Sequence, residues 1–273
     1  MRAHPARRSV PSAPVRGTSL MLALLVLALL VSLAACGDDG VGVAGDGEPE
    51  GTVLVFAAAS LTDAFAEIEV DFEAAHPGVD VMVNTAGSSA LREQILEGAP
   101  ADVFASANRP NIEQLMAAGE VAGEVEVLAT NSLQIVVPAG NPGGVTGVQD
   151  LARPELLIGL CAEGVPCGDF ARAVLARAAV QASIDTNEPD VRALLTKVGA
   201  DELDAGVVYA TDVIAGGELV EGIDIPSQWN VEADYPIARM AGAPNPTAAD
   251  AFIEFVLGPD GQRILAGFGF SPP

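Results

Sequence analysis

The chain has 273 residues, half of them hydrophobic and 18% charged, with 37 Asp and Glu against 13 Lys and Arg and a formal net charge of −24. That length is ample for one large domain or for two lobes with their own cores. A field this negative excludes nucleic-acid binding, and any anion the protein takes must be held locally, by oriented dipoles in a dry pocket.

Arg2, Arg7, Arg8 and Arg16 precede an apolar run, Leu20 to Leu33, that is too short for an ordinary spanning helix. It ends Leu33-Ala34-Ala35-Cys36, which resembles a bacterial lipobox. Residues 1–35 therefore read as a lipoprotein signal peptide, cut before Cys36, whose thiol takes the lipid. The alternative is an uncleaved anchor with an incidental cysteine. Arg7-Arg8 allows twin-arginine export, although Ser9-Val10-Pro11 lends it little support. Residues 36–51, rich in Gly, Asp and Glu, read as a flexible acidic tether. No acidic residue precedes Cys36, so the exported part keeps 9 Lys and Arg against 37 Asp and Glu, a formal charge of −28.

Val53 to Phe56 is a short β-rich run, three alanines follow, and Ser60 stands where a helical period begins at Leu61, Phe65, Ile68 and Phe72. Ser60 and Asp63 have the spacing of a capping box. The free N–H groups of such a turn, with the positive end of the helix dipole, form an anion site. The plainer reading is that Ser60 only caps its helix. Val79 to Asn84 repeats the arrangement: a strand leads into Gly87-Ser88-Ser89, and helical spacing resumes at Leu91, Ile95 and Leu96. Two such turns on successive strands of an α/β pattern put both serines at one sheet edge, where open parallel sheets bind ligands.

Further strands are expected at Ala101–Ser106, Ser132–Pro138 and Leu156–Leu160, with a short helix over Asn111–Ala118. The loop at Asn141-Pro142-Gly143-Gly144 marks entry into a second lobe. Cys161 and Cys167 flank the next turn, and Phe170, Val174 and Leu175 give the helix after it. Once Cys36 is lipidated these are the only thiols left, and in an oxidising compartment they pair; two free thiols is the alternative. A helix begins around Asn187–Arg192, Asp204–Tyr209 is a strand, Tyr235–Ala238 is a strand returning to the first lobe, and Asn245–Leu257 and Pro259–Ala266 are closing helices. A Tyr at a strand tip, as at Tyr209, more often packs with a wet hydroxyl than holds a ligand. Catalytic groups are scarce: His76 is the single histidine after Cys36, and there is no metal-ligand cluster and no Walker-type loop.

Phe56-Ala57-Ala58-Ala59-Ser60-Leu61, Gly87-Ser88-Ser89, Gly98-Ala99-Pro100-Ala101-Asp102-Val103-Phe104, Val165-Pro166-Cys167-Gly168, Asp190-Val191-Arg192 and Gly206-Val207-Val208-Tyr209 occur in this order. Together they resemble the molybdate-binding proteins of bacterial ABC importers, over Thr52 to Phe270. The resemblance implies an α/β, two-lobed type II periplasmic-binding-protein fold with a ligand cleft between the lobes. Lobe 1 would be residues 52–131 and 236–273, and lobe 2 residues 132–235. It implies a non-enzymatic, monomeric receptor for molybdate or tungstate, tied to the membrane through Cys36, that serves the permease of an ABC importer. No cofactor and no directly coordinated metal is expected. The donors carried over are the hydroxyls and N–H groups of Ser60 and Ser88, the backbone N–H groups of Cys167 and Val191, and the Tyr209 hydroxyl. Cys167 departs from the small residue, often Ala, of several members; since the backbone would donate, the change is tolerable, and a disulfide to Cys161 would stiffen the loop. With no group in this set titrating near neutrality, affinity is expected to be flat between about pH 6 and 8. Competing readings are a receptor for another tetrahedral oxyanion such as sulfate, a ferric-ion receptor, a lipid-anchored serine hydrolase using Ser60, and a structural envelope lipoprotein.

Overall fold

The computed structural model describes residues 48–273. The expected signal peptide, Cys36 and most of the expected tether lie outside the described residues. No described helix is long and apolar enough to cross a membrane.

Strands β1 (Gly51–Ala58), β2 (Val79–Ala86), β3 (Val103–Ala105), β4 (Val121–Pro138) and β9 (Glu232–Met240) form one sheet in the order β2-β1-β3-β9-β4. A second sheet continues from the far end of β4 through β7 (Ala205–Tyr209), β5 (Ile158–Cys161) and β6 (Ile184–Glu188), with β8 (Val220–Asp224) also paired to β4. β1 is parallel to β2 and β3, and β5 is parallel to β6 and β7. β4 is antiparallel to its partners, pairing with β9 from Val121 to Ser132 and with β7 from Leu133 to Val136. The two sheets thus share one long strand, and β9 returns the chain across the same bridge.

Helices α1 (Thr62–Ala75), α2 (Ser88–Leu96), α3 (Arg109–Ala118), α7 (Pro246–Leu257) and α8 (Pro259–Gly267) belong with the first sheet. Helices α4 (Pro166–Arg177), α5 (Val191–Gly199) and α6 (Ala210–Gly216) belong with the second. Their apolar faces are the ones the periodicity picks out: Phe65, Ile68 and Phe72 of α1 are fully buried, and Phe65 and Phe72 meet Phe252 of α7 edge to face. Burying side chains of this size contributes roughly 1.5–3 kcal/mol each. His76 ends α1, with its ring against Phe72.

Several elements differ from the sequence expectation. β4 is 18 residues long, because Val121–Asn131 joins the strand through two irregular pairings that its acidic, Gly-containing sequence obscures. β6 and β8 carry exposed polar residues and lack the alternation that signals a strand. Pro189 precedes α5 rather than starting it, and Asp190 is the cap, accepting from the Ala193 N–H at 2.9 Å.

Candidate functional site

Parallel strands from both sheets deliver their C-terminal ends to one cleft, the edge where open α/β sheets bind ligands. β1 runs into a 3-10 turn over Ala59–Leu61, and β2 ends just before Gly87 and Ser88. From the other sheet, β5 leads to Pro166 and Cys167, β6 to Asp190 and Val191, and β7 ends on Tyr209. A small, narrow pocket is lined by Ser60, Ser88, Cys167, Val191 and Tyr209 among others, so all five sequence-predicted positions meet there. No Lys, Arg or His lines it.

Each position carries a group able to donate a hydrogen bond. Ser60 does not cap α1: the helix has Leu61 at its cap with no side-chain hydrogen bond, and Asp63 turns to Arg192 instead. The 3-10 turn carries Ser60 inward, where its Oγ lies 2.9 Å from the Tyr235 hydroxyl. Ser88 is the first residue of α2, and its Oγ accepts from the Ala107 N–H at 3.0 Å, which leaves the serine proton free. Cys167 and Val191 stand in the first turns of α4 and α5, where backbone N–H groups have no acceptor within the helix and the helix dipole is positive. Tyr209 is 1% exposed, stacks edge to face on Tyr235 and Phe170, and among the described residues its hydroxyl makes no hydrogen bond of good geometry. Burial pushes that hydroxyl's pKa well above the ordinary tyrosine range, so it keeps its proton. A buried, unpaired hydroxyl costs about 1–3 kcal/mol, a cost that an acceptor in the pocket removes.

The walls come very close beside the pocket. A Cβ on Gly87 would lie 2.6 Å from the Pro189 carbonyl oxygen, so only glycine lets the β2–α2 turn meet the β6–α5 turn. The sulfurs of Cys161 and Cys167 are bonded, with Cα atoms 5.7 Å apart, which ties the end of β5 to the first turn of α4.

Charge lies behind the pocket, and the sequence reading missed it. Arg192 reaches Asp63 at 2.8 Å and stands 3.2 Å from the fully buried Asp212, with Nε and Oδ1 out of hydrogen-bond alignment. Asp212 accepts from the Tyr209 backbone N–H at 3.2 Å. Its carboxyl is pushed up to about 7, chiefly by desolvation with smaller help from Asp63 and Asp190, against the opposing pull of Arg192 and the Tyr209 N–H. No grouping of three or more His, Cys, Asp or Glu among the described residues is fit to hold a metal ion.

Residues 53–271 match the family model for bacterial extracellular solute-binding proteins. The chain belongs to that family. It is 36% identical to the molybdate-binding protein ModA of Mycobacterium tuberculosis over 261 residues, covering 95% of this chain and 100% of the relative. Among solved structures it superposes on the periplasmic molybdate-binding protein of Azotobacter vinelandii with a TM-score of 0.73 at 20% identity, over 81% of this chain and 99% of that one. The sulfate-binding protein SubI of Mycobacterium tuberculosis gives 0.72 at 22% identity, over 81% and 86%. At those identities the two structures establish the fold alone. The protein is therefore a non-enzymatic solute-binding receptor of the kind that serves an ABC importer.

Proposed function

We propose that the protein is an extracytoplasmic receptor, lipid-anchored through Cys36, that binds molybdate or tungstate as a monomer and delivers it to the permease of an ABC importer. Residues 52–131 with 236–273 would form one jaw and 132–235 the other, with the tether holding both off the membrane. The observation that carries the reading is a cleft pocket with neutral donors from both jaws, including a buried Tyr209 hydroxyl that makes no hydrogen bond of good geometry among the described residues. A desolvated dianion is held by charge-assisted hydrogen bonds, each about twice as strong as a neutral one, and by helix dipoles, so no Lys or Arg is required. Similarity to ModA over nearly the whole chain supports molybdate as the dianion. Molybdate and tungstate share shape and radius, whereas the smaller sulfate would leave donors unpaired.

A thermal-shift series with molybdate, tungstate, sulfate, phosphate and vanadate tests this. A ligand at 100 times its dissociation constant adds about 2.7 kcal/mol of apparent stability. Large shifts with molybdate and tungstate and little with sulfate are expected; equal shifts with sulfate and molybdate would sink the size argument. A sulfate receptor is the second reading, and the fold shared with SubI is what favours it.

A further inference from the structure

The hydrogen bond on Ser60 has a direction that can be worked out from its neighbours. Tyr235, on the returning strand β9, is fully buried with its ring stacked on Tyr209 and Phe270. Its hydroxyl lies 2.9 Å from Ser60 Oγ, and either oxygen could donate on distance alone. Asn131 decides between them. The Asn131 Oδ1 accepts from the Ser132 N–H at 2.9 Å, which orients the amide so that Nδ2 faces inward. Nδ2 donates to Thr211 Oγ1 at 2.9 Å and approaches the Tyr235 hydroxyl at 3.5 Å. An amide N–H only donates, so Tyr235 receives from Asn131 and has one proton of its own to give. Ser60 Oγ, at 2.9 Å, is the well-placed acceptor for that proton; the neighbouring Tyr209 hydroxyl makes no hydrogen bond of good geometry with it. If Ser60 donated instead, the buried tyrosine proton would have beside it only the poorly placed Tyr209 hydroxyl.

We propose that Tyr235 is a positioning residue for Ser60. Its hydroxyl donates into the serine oxygen, fills a lone pair and leaves the serine proton for the bound oxyanion. The Ala107 N–H does the same for Ser88, so both serines of this wall are held as donors by a neighbour that can only give or has only one acceptor to give to. Donation into Ser60 Oγ also polarises its O–H toward the ligand. Because Asn131 and Tyr235 sit on β4 and β9, the strands that bridge the two sheets, this chain of hydroxyls ties the bridge to the pocket. The role rests on the oxyanion reading above.

A double-mutant cycle tests it, by calorimetric titration of molybdate into the full-length wild type, Tyr235→Phe, Ser60→Ala and the double variant, with Ser88→Ala alone and combined with Tyr235→Phe as the control pair. Phenylalanine keeps the ring stack and removes only the hydroxyl. Tyr235→Phe should weaken binding about threefold to tenfold in the wild type, the range expected for one lost neutral hydrogen bond. It should do nearly nothing once Ser60 is alanine, and should keep its full effect in the Ser88→Ala background. Equal losses in all three backgrounds, or wild-type affinity in Tyr235→Phe, would overturn the role while leaving the oxyanion reading standing. Absence of molybdate binding by the wild type would overturn that reading and this role with it.

Discussion

On the first-sheet wall of the cleft the donors proposed for the ligand are side chains. Ser60 and Ser88 each have an oxygen already engaged, by Tyr235 and by the Ala107 N–H. On the second-sheet wall two of the three positions, Cys167 and Val191, offer main chain from the first turns of α4 and α5. Hydroxyls must be aimed by neighbours and are lost on substitution. Backbone N–H groups are aimed by the helix itself, and the side chain at such a position is free to do something else. At Cys167 it forms a disulfide, and Val191 is simply buried in the core. Tyr209 is the exception, a side-chain donor on the main-chain wall, and it is the group whose hydroxyl is left unpaired.

The largest effects should come from deleting a side-chain donor. Ser88→Ala removes one charge-assisted bond and Tyr209→Phe removes another while keeping the ring, each at a cost of about 1.5–3 kcal/mol. Calorimetric titration should show losses of tenfold or more for both. Wild-type affinity in both variants would mean that these hydroxyls are structural. Next comes Gly87→Ala, which puts a methyl group where the Pro189 carbonyl now sits 2.6 Å away. Overpacking of that kind costs about 1–3 kcal/mol. The cost falls on the meeting of the two walls, so molybdate affinity should drop more than the melting temperature of the ligand-free protein. An equal drop in both would place the clash in the folded core rather than across the cleft.

A smaller effect concerns pH, and here the structure changes the expectation drawn from the donors alone. Those five groups do not titrate near neutrality, but Asp212 behind Tyr209 does, its carboxyl pushed up to about 7 chiefly by burial. A dianion arriving at Tyr209 adds negative charge nearby and raises that carboxyl further, so binding takes up protons. Affinity should therefore fall as pH rises through about 7, by at most tenfold per unit for one linked proton and by a few-fold in practice, since Arg192 offsets part of the charge. The ligand-free protein carries the same linkage. With the folded value raised above the unfolded one, the contribution of Asp212 to stability is whole below about 3.8 and is lost as pH rises through about 7. Asp212→Asn should flatten the affinity profile measured from pH 6 to 8; an unchanged slope in that variant would assign the proton to another group.

What the sequence made legible follows from how local each feature is. Strand-to-helix turns at Ser60, Ser88 and Cys167 are written in short windows, apolar run first and helical period after, and the alternation of β and α places them on one edge. Tyr209 was visible as a strand tip, and its pocket role came from resemblance. The partners of the hydroxyls were not legible, because they are far away in the chain: Ser60 meets Tyr235 across 175 residues, and Ala107 reaches Ser88 across 19. The spacing of Ser60 and Asp63 suggested a local capping box, yet both side chains are claimed by tertiary partners. Asp212 was hidden for the same reason. An acidic residue three positions after a strand tip gives no sign, in so acidic a chain, that folding removes it entirely from water.

The smallest expected change in affinity belongs to the cysteines, and it tests the contrast between the walls most directly. If Cys167 acts through its N–H, replacing both Cys161 and Cys167 by Ala leaves the donor in place, since Pro166 still starts α4 and the helix still aims its first-turn amides. The bond closes a short loop, its cysteines separated by 6 in sequence, so its loss should cost about 2 kcal/mol of stability on the chain-entropy model. Affinity should change by less than about threefold, the share attributable to a less rigid loop. Differential scanning calorimetry and titration on the double variant separate the two quantities. Intact mass after alkylation of the unreduced wild type gives the starting state, and two alkylated cysteines there would refute the bridge. A lower melting temperature with retained binding is the outcome that fits main-chain donation. A loss of affinity as large as that of Ser88→Ala would mean that the second-sheet wall also depends on its side chains, and the contrast between the two walls would fall.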